Sequence, residues 1–166
     1  DGVTYSRDIP KAADAGTYTV SYKVVGDANH ADGTTVGSVT VTIKPKEIVS
    51  PKITVSGTYT YDGDPKEPSG TDVTVEDGAT TIPDSEYTLS YRDNIDAGTA
   101  TVIVTNANGG NYIVNGTATF TIAKASIDAG NIIAPAGREN LPYNGAEQAL
   151  AQAGSAAEGT MVYSLD

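Results

Sequence analysis

Apolar and polar residues alternate along much of the chain. Lys52-Ile53-Thr54-Val55-Ser56, Thr58-Tyr59-Thr60-Tyr61, Asp72-Val73-Thr74-Val75, Tyr87-Thr88-Leu89-Ser90-Tyr91 and Thr99-Ala100-Thr101-Val102-Ile103-Val104 all follow a period of two. With Tyr112-Ile113-Val114 and Thr117-Ala118-Thr119-Phe120-Thr121-Ile122 they predict about seven short strands between residues 47 and 125. Turn formers separate them: Asp62-Gly63, Asp77-Gly78, Pro83-Asp84, Asn108-Gly109-Gly110 and Asn115-Gly116. Successive side chains of a strand face opposite ways, so Val, Ile, Tyr and Phe should face a core and Thr should face water. Short strands with turn signals at this spacing predict an all-β, immunoglobulin-like β-sandwich. The one candidate for a helical turn, residues 146–153, is short and poorly capped, and by analogy with 64–69 it reads as strand or loop.

The pattern recurs. Asp14-Ala15-Gly16-Thr17 returns 82 residues later as Asp96-Ala97-Gly98-Thr99, and the match extends through Val20 and Val102 to Asn29-His30 and Asn111-Tyr112. Val39-Thr40-Val41-Thr42-Ile43 corresponds to Ala118-Thr119-Phe120-Thr121-Ile122 at an offset of 79. Tyr61-Asp62-Gly63 is echoed by Tyr143-Asn144-Gly145, again 82 residues apart. The chain therefore reads as repeats of about 80 residues in tandem. Residues 1–46 are the C-terminal half of a repeat, 47–125 a complete repeat and 126–166 the N-terminal half of another. Lysine-bearing connectors, Lys44-Pro45-Lys46 and Ala123-Lys124-Ala125, close the first two.

Composition narrows the functional classes. The chain carries Lys+Arg 10 against Asp+Glu 21, a net charge of −11, which argues against binding nucleic acid or an anionic membrane surface. No run is long enough for a transmembrane helix, and no signal peptide opens the chain. The first residue is Asp1, so a piece of a longer product is expected. Cys is 0 and His is 1, which removes disulfides, thiol nucleophiles and zinc-thiolate sites and leaves little for a histidine triad. Ser6 with Asp8, and Ser21 with His30, lack a third orienting group and a nucleophile elbow, so no enzyme is predicted. His30 matches Tyr112 and is expected to supply a planar ring for packing.

Tyr61-Asp62-Gly63, the Asp-Ala-Gly-Thr that opens a long strand, Gly110-Asn111-Tyr112 and the closing Thr119-Phe120-Thr121-Ile122 together resemble the MBG/YDG group of bacterial immunoglobulin-like repeats, which occur in tandem in large surface proteins. The resemblance covers essentially the whole chain. It implies an all-β fold, a secreted or cell-surface bacterial location, and a structural role as stalk, spacer or filament module. It carries over no catalytic residue. His30 and Asn144 depart from the pattern at positions where Tyr and Asp are expected.

The split repeats direct the expectation about partners. Neither half can bury its apolar face alone: 1–46 would expose Val20, Val24, Val39, Val41 and Ile43 together with open strand edges. Met161-Val162-Tyr163-Ser164-Leu165-Asp166 placed before Asp1-Gly2-Val3-Thr4-Tyr5 reads as strand, turn, strand. The halves are thus expected to be completed by a neighbouring segment or chain, with copies of the protein or adjacent repeats meeting head-to-tail through 1–46 and 126–166. A window on a longer covalent array, pairing between chains, and fold-back within one chain all satisfy this. Fold-back is disfavoured because the short connectors do not span a domain on the order of 35–40 Å from pole to pole.

Ligand chemistry is sparse. Asp27, Asn29 and Asp32 alternate oxygens in one loop, and Asp62 and Asp64, near Glu67 and Asp72, do so in another. Calcium takes six to eight oxygens, but no twelve-residue loop closes on a glutamate, and turn propensity explains both runs. These residues are therefore only candidate calcium ligands, and no cofactor is required. An adhesin module binding host glycan or protein through loop residues is the alternative function, with Tyr5, Tyr61, Tyr143 and Tyr163 the tyrosines expected near turns. Lys46, Lys52 and Lys124 lie near strand ends, where a lysine cross-link to Asn or Asp would need a buried neighbourhood. Asn115-Gly116-Thr117 is a glycosylation sequon that a bacterial host would leave silent.

Overall fold

The structure is a computed structural model that describes residues 4–165 of the chain. The turn expected between Asp166 and Asp1-Gly2 lies outside the described residues. Strands make up 43% of the chain with almost no helix, so the fold is all-β. It forms two compact units that divide between Ala123 and Lys124.

The first unit opens with a hairpin of β1 (Gly16–Lys23) and β2 (Val36–Ile43). Eight strands follow: β3 (Lys46–Ile48), β4 (Lys52–Val55), β5 (Tyr59–Thr60), β6 (Val73–Asp77), β7 (Thr80–Thr81), β8 (Tyr87–Arg92), β9 (Gly98–Asn106) and β10 (Tyr112–Ala123). They make two sheets. One runs β3-β10-β9-β8, with β5 also on β10; the other runs β4-β6-β7. Both β3 and β5 lie parallel to β10, at Tyr112–Val114 and Ile122–Ala123 respectively. Gly78 at φ +62 turns β6 directly into β7, the glycine position that a two-residue hairpin loop favours.

Alternation places the core as the sequence predicts. Val73 and Val75 of β6, Ala100, Val102 and Val104 of β9, and Val114, Phe120 and Ile122 of β10 are all buried. One cluster joins Ile48, Val75, Ile82, Tyr87, Val104 and Val114, with Ile53 and Leu89 against it. A second joins Ala100, Phe120 and Ile122, with Val55, Tyr59 and Tyr91. Both draw on both sheets, so the sheets cover one another's apolar faces. The edge of one ring meets the other in the Tyr59–Phe120 pair, centroids 5.1 Å apart.

Asn115-Gly116 is not a turn. The pair lies inside β10, opposite Thr105 and Val104, so two predicted strands are one. A turn pair is tolerated there because the missing side chain makes room for the other sheet: a Cβ on Gly116 would stand 2.7 Å from Ile53 Cδ1 and 3.3 Å from Pro51 Cγ. Gly116→Val should therefore lower stability by about 2 kcal/mol through overpacking. Urea unfolding checks this, and an unchanged midpoint would mean that the sheets are not in tight contact here.

Three buried or half-buried tyrosines make the module sensitive to alkali. Burial raises the Tyr59, Tyr87 and Tyr91 phenols above their ordinary value of 10.0, helped at Tyr87 by the hydrogen bond to Asp84 and at Tyr91 by the charge of Glu67. The folded state therefore holds these protons more tightly than the unfolded chain. Their contribution is complete below the unfolded value and is lost as pH rises through the folded values. Thermal melts from pH 8 upward should show a falling midpoint that begins near pH 10 and steepens beyond it; a flat profile would contradict the burial of these phenols.

The second unit is one antiparallel ladder broken in the middle. β11 (Ile132–Ile133) pairs with β14 (Ser155–Ala156), and β12 (Ala136–Gly137) pairs with β13 (Ala151–Gln152). Arg138 N donates to Leu150 O at 2.9 Å and Ala157 N to Asn131 O at 3.2 Å, extending the same ladder at its two ends. The break falls at Ala134-Pro135, opposite Ala153-Gly154: Pro135 has no N–H to give, and a Cβ on Gly154 would stand 2.3 Å from Ile133 O and 2.8 Å from Pro135 N. Residues 146–150 carry neither helix nor strand.

Candidate functional site

The β1–β2 and β9–β10 hairpins are built alike. Gly16↔Ile43, Tyr18↔Val41 and Val20↔Val39 pair in the first, and Gly98↔Ile122, Ala100↔Phe120 and Val102↔Ala118 in the second. These partners stand at the sequence offsets of 82 and 79. Their environments differ. In the second hairpin Val102 is 0% exposed, Phe120 7% and Ile122 1%. In the first, Tyr22 is 51% exposed, Val39 52% and Val41 51%, while Val20 and Ile43 are half-buried. The register puts Tyr18, Val20, Tyr22, Val39, Val41 and Ile43 on one face, and Thr17, Thr19, Ser21, Ser38, Thr40 and Thr42 on the other. The fold thus presents an apolar sheet face in the water. Residues 10–12 run beside Tyr18, Val20, Val41 and Ile43 without adding a strand. Lys23 Nζ stands 4.6 Å from the centre of the Tyr5 ring.

Every buried residue among those described lies between Ile48 and Ile122. In the second unit Ile133 is 69% exposed and Tyr143 96%. Its Tyr143-Asn144-Gly145 turn nonetheless repeats the geometry of Tyr61-Asp62-Gly63. Asn144 Oδ1 accepts from Ala146 N at 3.0 Å and Asp62 Oδ1 from Asp64 N at 3.0 Å, with Gly145 at φ +74 and Gly63 at φ +90.

A polar cluster ties the β1–β2 hairpin to the strands that follow. Asn111, just before β10, is its centre. Its Oδ1 accepts from Ala15 N at 2.6 Å, its Nδ2 donates to Asp14 Oδ1 at 3.1 Å, and its carbonyl accepts from Lys46 N at 2.8 Å. Asn111 is held in turn by Glu86, whose Oε2 accepts from Asn111 N at 2.6 Å and Tyr112 N at 3.3 Å. Glu86 is the one charged side chain that is buried among the described residues. The sequence marks Asp14-Ala15 and Asn111 only as repeat signatures. Their contact, and the part played by Glu86, bridge too much chain to be read from it.

Of the candidate calcium ligands, Asp27, Asp32 and Asp62 accept hydrogen bonds in their own turns, while the side chains of Asn29 and Asp64 make none to any described residue. Asp27 Oδ1 accepts from Asn29 N at 2.9 Å and meets His30 Nδ1 at 2.7 Å, and Asp32 Oδ1 accepts from Gly26 N at 2.9 Å. The bond from the Asn29 N–H, then that from His30, holds the Asp27 carboxyl below its usual range. Asp62 pairs with Lys66 besides capping Asp64, and Lys66 foremost depresses its carboxyl. Among the described residues no three His, Asp or Glu side chains gather as a metal site would require. His30 does not pack like Tyr112: its side chain is 77% exposed, whereas Tyr112 is half-buried. Ser6 Oγ accepts from Asp8 N, and His30 turns to Asp27 rather than Ser21. Lys46 and Lys52 form solvent-exposed pairs with Asp77 at 2.5 Å and Glu76 at 2.7 Å, not the buried neighbourhood that a cross-link needs.

Comparison of the chain with family models, curated proteins and solved structures finds no match.

Proposed function

We propose that the protein is a structural module of a bacterial extracellular array or filament, of the MBG/YDG type, in which immunoglobulin-like sandwich repeats in series set reach and stiffness. One observation carries this reading: two hairpins of the same register, one with its apolar face buried under a second sheet and the other with that face half open to water and only residues 10–12 beside it. The covered hairpin is the template for what the bare one lacks. Its cover is the β4-β6 sheet, and the segment that resembles the start of that sheet's repeat, down to the Tyr-Asx-Gly turn, is 126–165. The bare face is completed by such a segment from a neighbouring repeat or chain. Covering Tyr22, Val39 and Val41 gains on the order of 5 kcal/mol before the entropy of association is charged against it.

Addition of this kind is head-to-tail, because the donor and acceptor surfaces differ, and it propagates in line unless the rotation closes a ring. Without disulfides, each completed repeat is held by its apolar faces and ladders. Electron microscopy of the concentrated full chain should show threads with a regular bead or closed rings. Isolated particles of single-chain size at every concentration would overturn completion by a second copy.

A further inference from the structure

We propose that Asp96 and Ala97 form a docking site for the side-chain amide of Asn29 from a second copy of the chain. This rests on the head-to-tail reading above and specifies the second of its two junctions. The first junction is visible within one chain. Asp14 and Ala15, at the foot of β1, grip the Asn111 amide from both sides: the backbone N–H of Ala15 donates to its oxygen at 2.6 Å, and the Asp14 carboxylate accepts from its nitrogen at 3.1 Å. An amide satisfies both groups at once because it carries a donor and an acceptor on one planar head. A carboxylate or an ammonium would serve only one of them.

The same pair of residues recurs at the foot of β9. Asp96-Ala97-Gly98 repeats Asp14-Ala15-Gly16, and Gly98 opens β9 against Ile122 as Gly16 opens β1 against Ile43. Asp96 is exposed and Ala97 half-buried, and neither makes a hydrogen bond to any described residue. In a head-to-tail chain the repeat that follows β10 is the composite one, built from 126–165 of this copy and the first hairpin of the next. The residue of that hairpin corresponding to Asn111 is Asn29, in the loop between β1 and β2. Asn29 is exposed, its backbone N–H is taken by Asp27, and its amide makes no hydrogen bond to any described residue. Asp96 and Ala97 of one copy therefore meet Asn29 of the next as Asp14 and Ala15 meet Asn111. Successive junctions then share one contact, which keeps a single orientation from repeat to repeat.

The test is sedimentation of the full chain over a concentration series with two variants. Asn29→Asp places a second carboxylate opposite Asp96 and should weaken association by on the order of tenfold. The double variant Asn29→Asp/Asp96→Asn restores one donor and one acceptor with the roles exchanged, and should recover most of the loss. Association unaffected by Asn29→Asp, or weakened without rescue, overturns the docking site and leaves the head-to-tail reading standing. A wild-type chain that stays monomeric throughout overturns both.

Discussion

Phe120→Ala is expected to destabilise the complete module by about 3–5 kcal/mol, whereas Val41→Ala, at the corresponding position of β2, should change the stability of the dilute chain by less than about 0.5 kcal/mol. Both residues sit on the inward face of a hairpin with the same pairing, opposite Ala100 and Tyr18 respectively. The difference lies in what covers them. Phe120 packs in a cluster with Ala100 and Ile122, against Val55, Tyr59 and Tyr91, and its ring meets that of Tyr59 edge-on. Truncating it removes the transfer free energy of the ring and leaves a cavity that two sheets cannot easily close. Val41 is already half in water, so its methyl groups have little burial to lose. Urea unfolding at low protein concentration checks both. The Val41→Ala cost should grow toward that of a core valine as concentration rises and the face becomes covered. Equal costs at low concentration would mean that the hairpin is already enclosed.

Glu86→Ala is the second large effect, about 3 kcal/mol. The carboxylate is buried and accepts from the backbone N–H groups of Asn111 and Tyr112, while Gly110 approaches so closely that a Cβ there would collide with Oε2. A charged acceptor makes each of these bonds stronger than a neutral one, and alanine would strand the donors. The loss should spread beyond the core, because Asn111 also holds Asp14 and Ala15. Amide exchange at Ala15 and Lys46 should accelerate together with that at Asn111. Glu86→Gln, which keeps one oxygen acceptor, should lose roughly half as much. If Glu86→Ala unfolds at the wild-type urea concentration, water replaces the carboxylate and the cluster does not anchor the hairpin.

How far the fold can be read from the sequence depends on how local its causes are. Val73-Thr74-Val75 and Thr119-Phe120-Thr121-Ile122 announce their faces because one residue in two is apolar and the sheets have one wet side. The ends of β1 and β9 are legible too, since Asp-Ala-Gly-Thr opens each. β3 is not: Lys46-Glu47-Ile48 has one apolar residue, and what makes it a strand is its parallel pairing with Tyr112–Val114 far along the chain. Asn115-Gly116 misleads for the opposite reason. Its local preference is a turn, and it is overridden by pairing on one side and by the need for a bare Cα beside Ile53 on the other. Alternating acids in the 27–32 and 62–64 loops suit a cation or a set of backbone caps equally well by sequence, and the structure turns oxygens of Asp27, Asp32 and Asp62 to backbone N–H groups and to His30 and Lys66. The exposed apolar face is the most legible part of the candidate site, because Val20, Val39, Val41 and Ile43 can be set beside Val102, Ala118, Phe120 and Ile122 of β9 and β10. Glu86 was invisible: it precedes a strand among other acidic residues, and only the folded chain brings it to Asn111.

The most direct test is to place a photo-reactive phenylalanine analogue at position 41 of the full chain, mix labelled and unlabelled copies at high concentration, and map the cross-linked peptides by mass spectrometry. The head-to-tail reading predicts cross-links between differently labelled copies, from position 41 into residues 126–165. Cross-links confined to one copy, or leading to other parts of the neighbour, would contradict it.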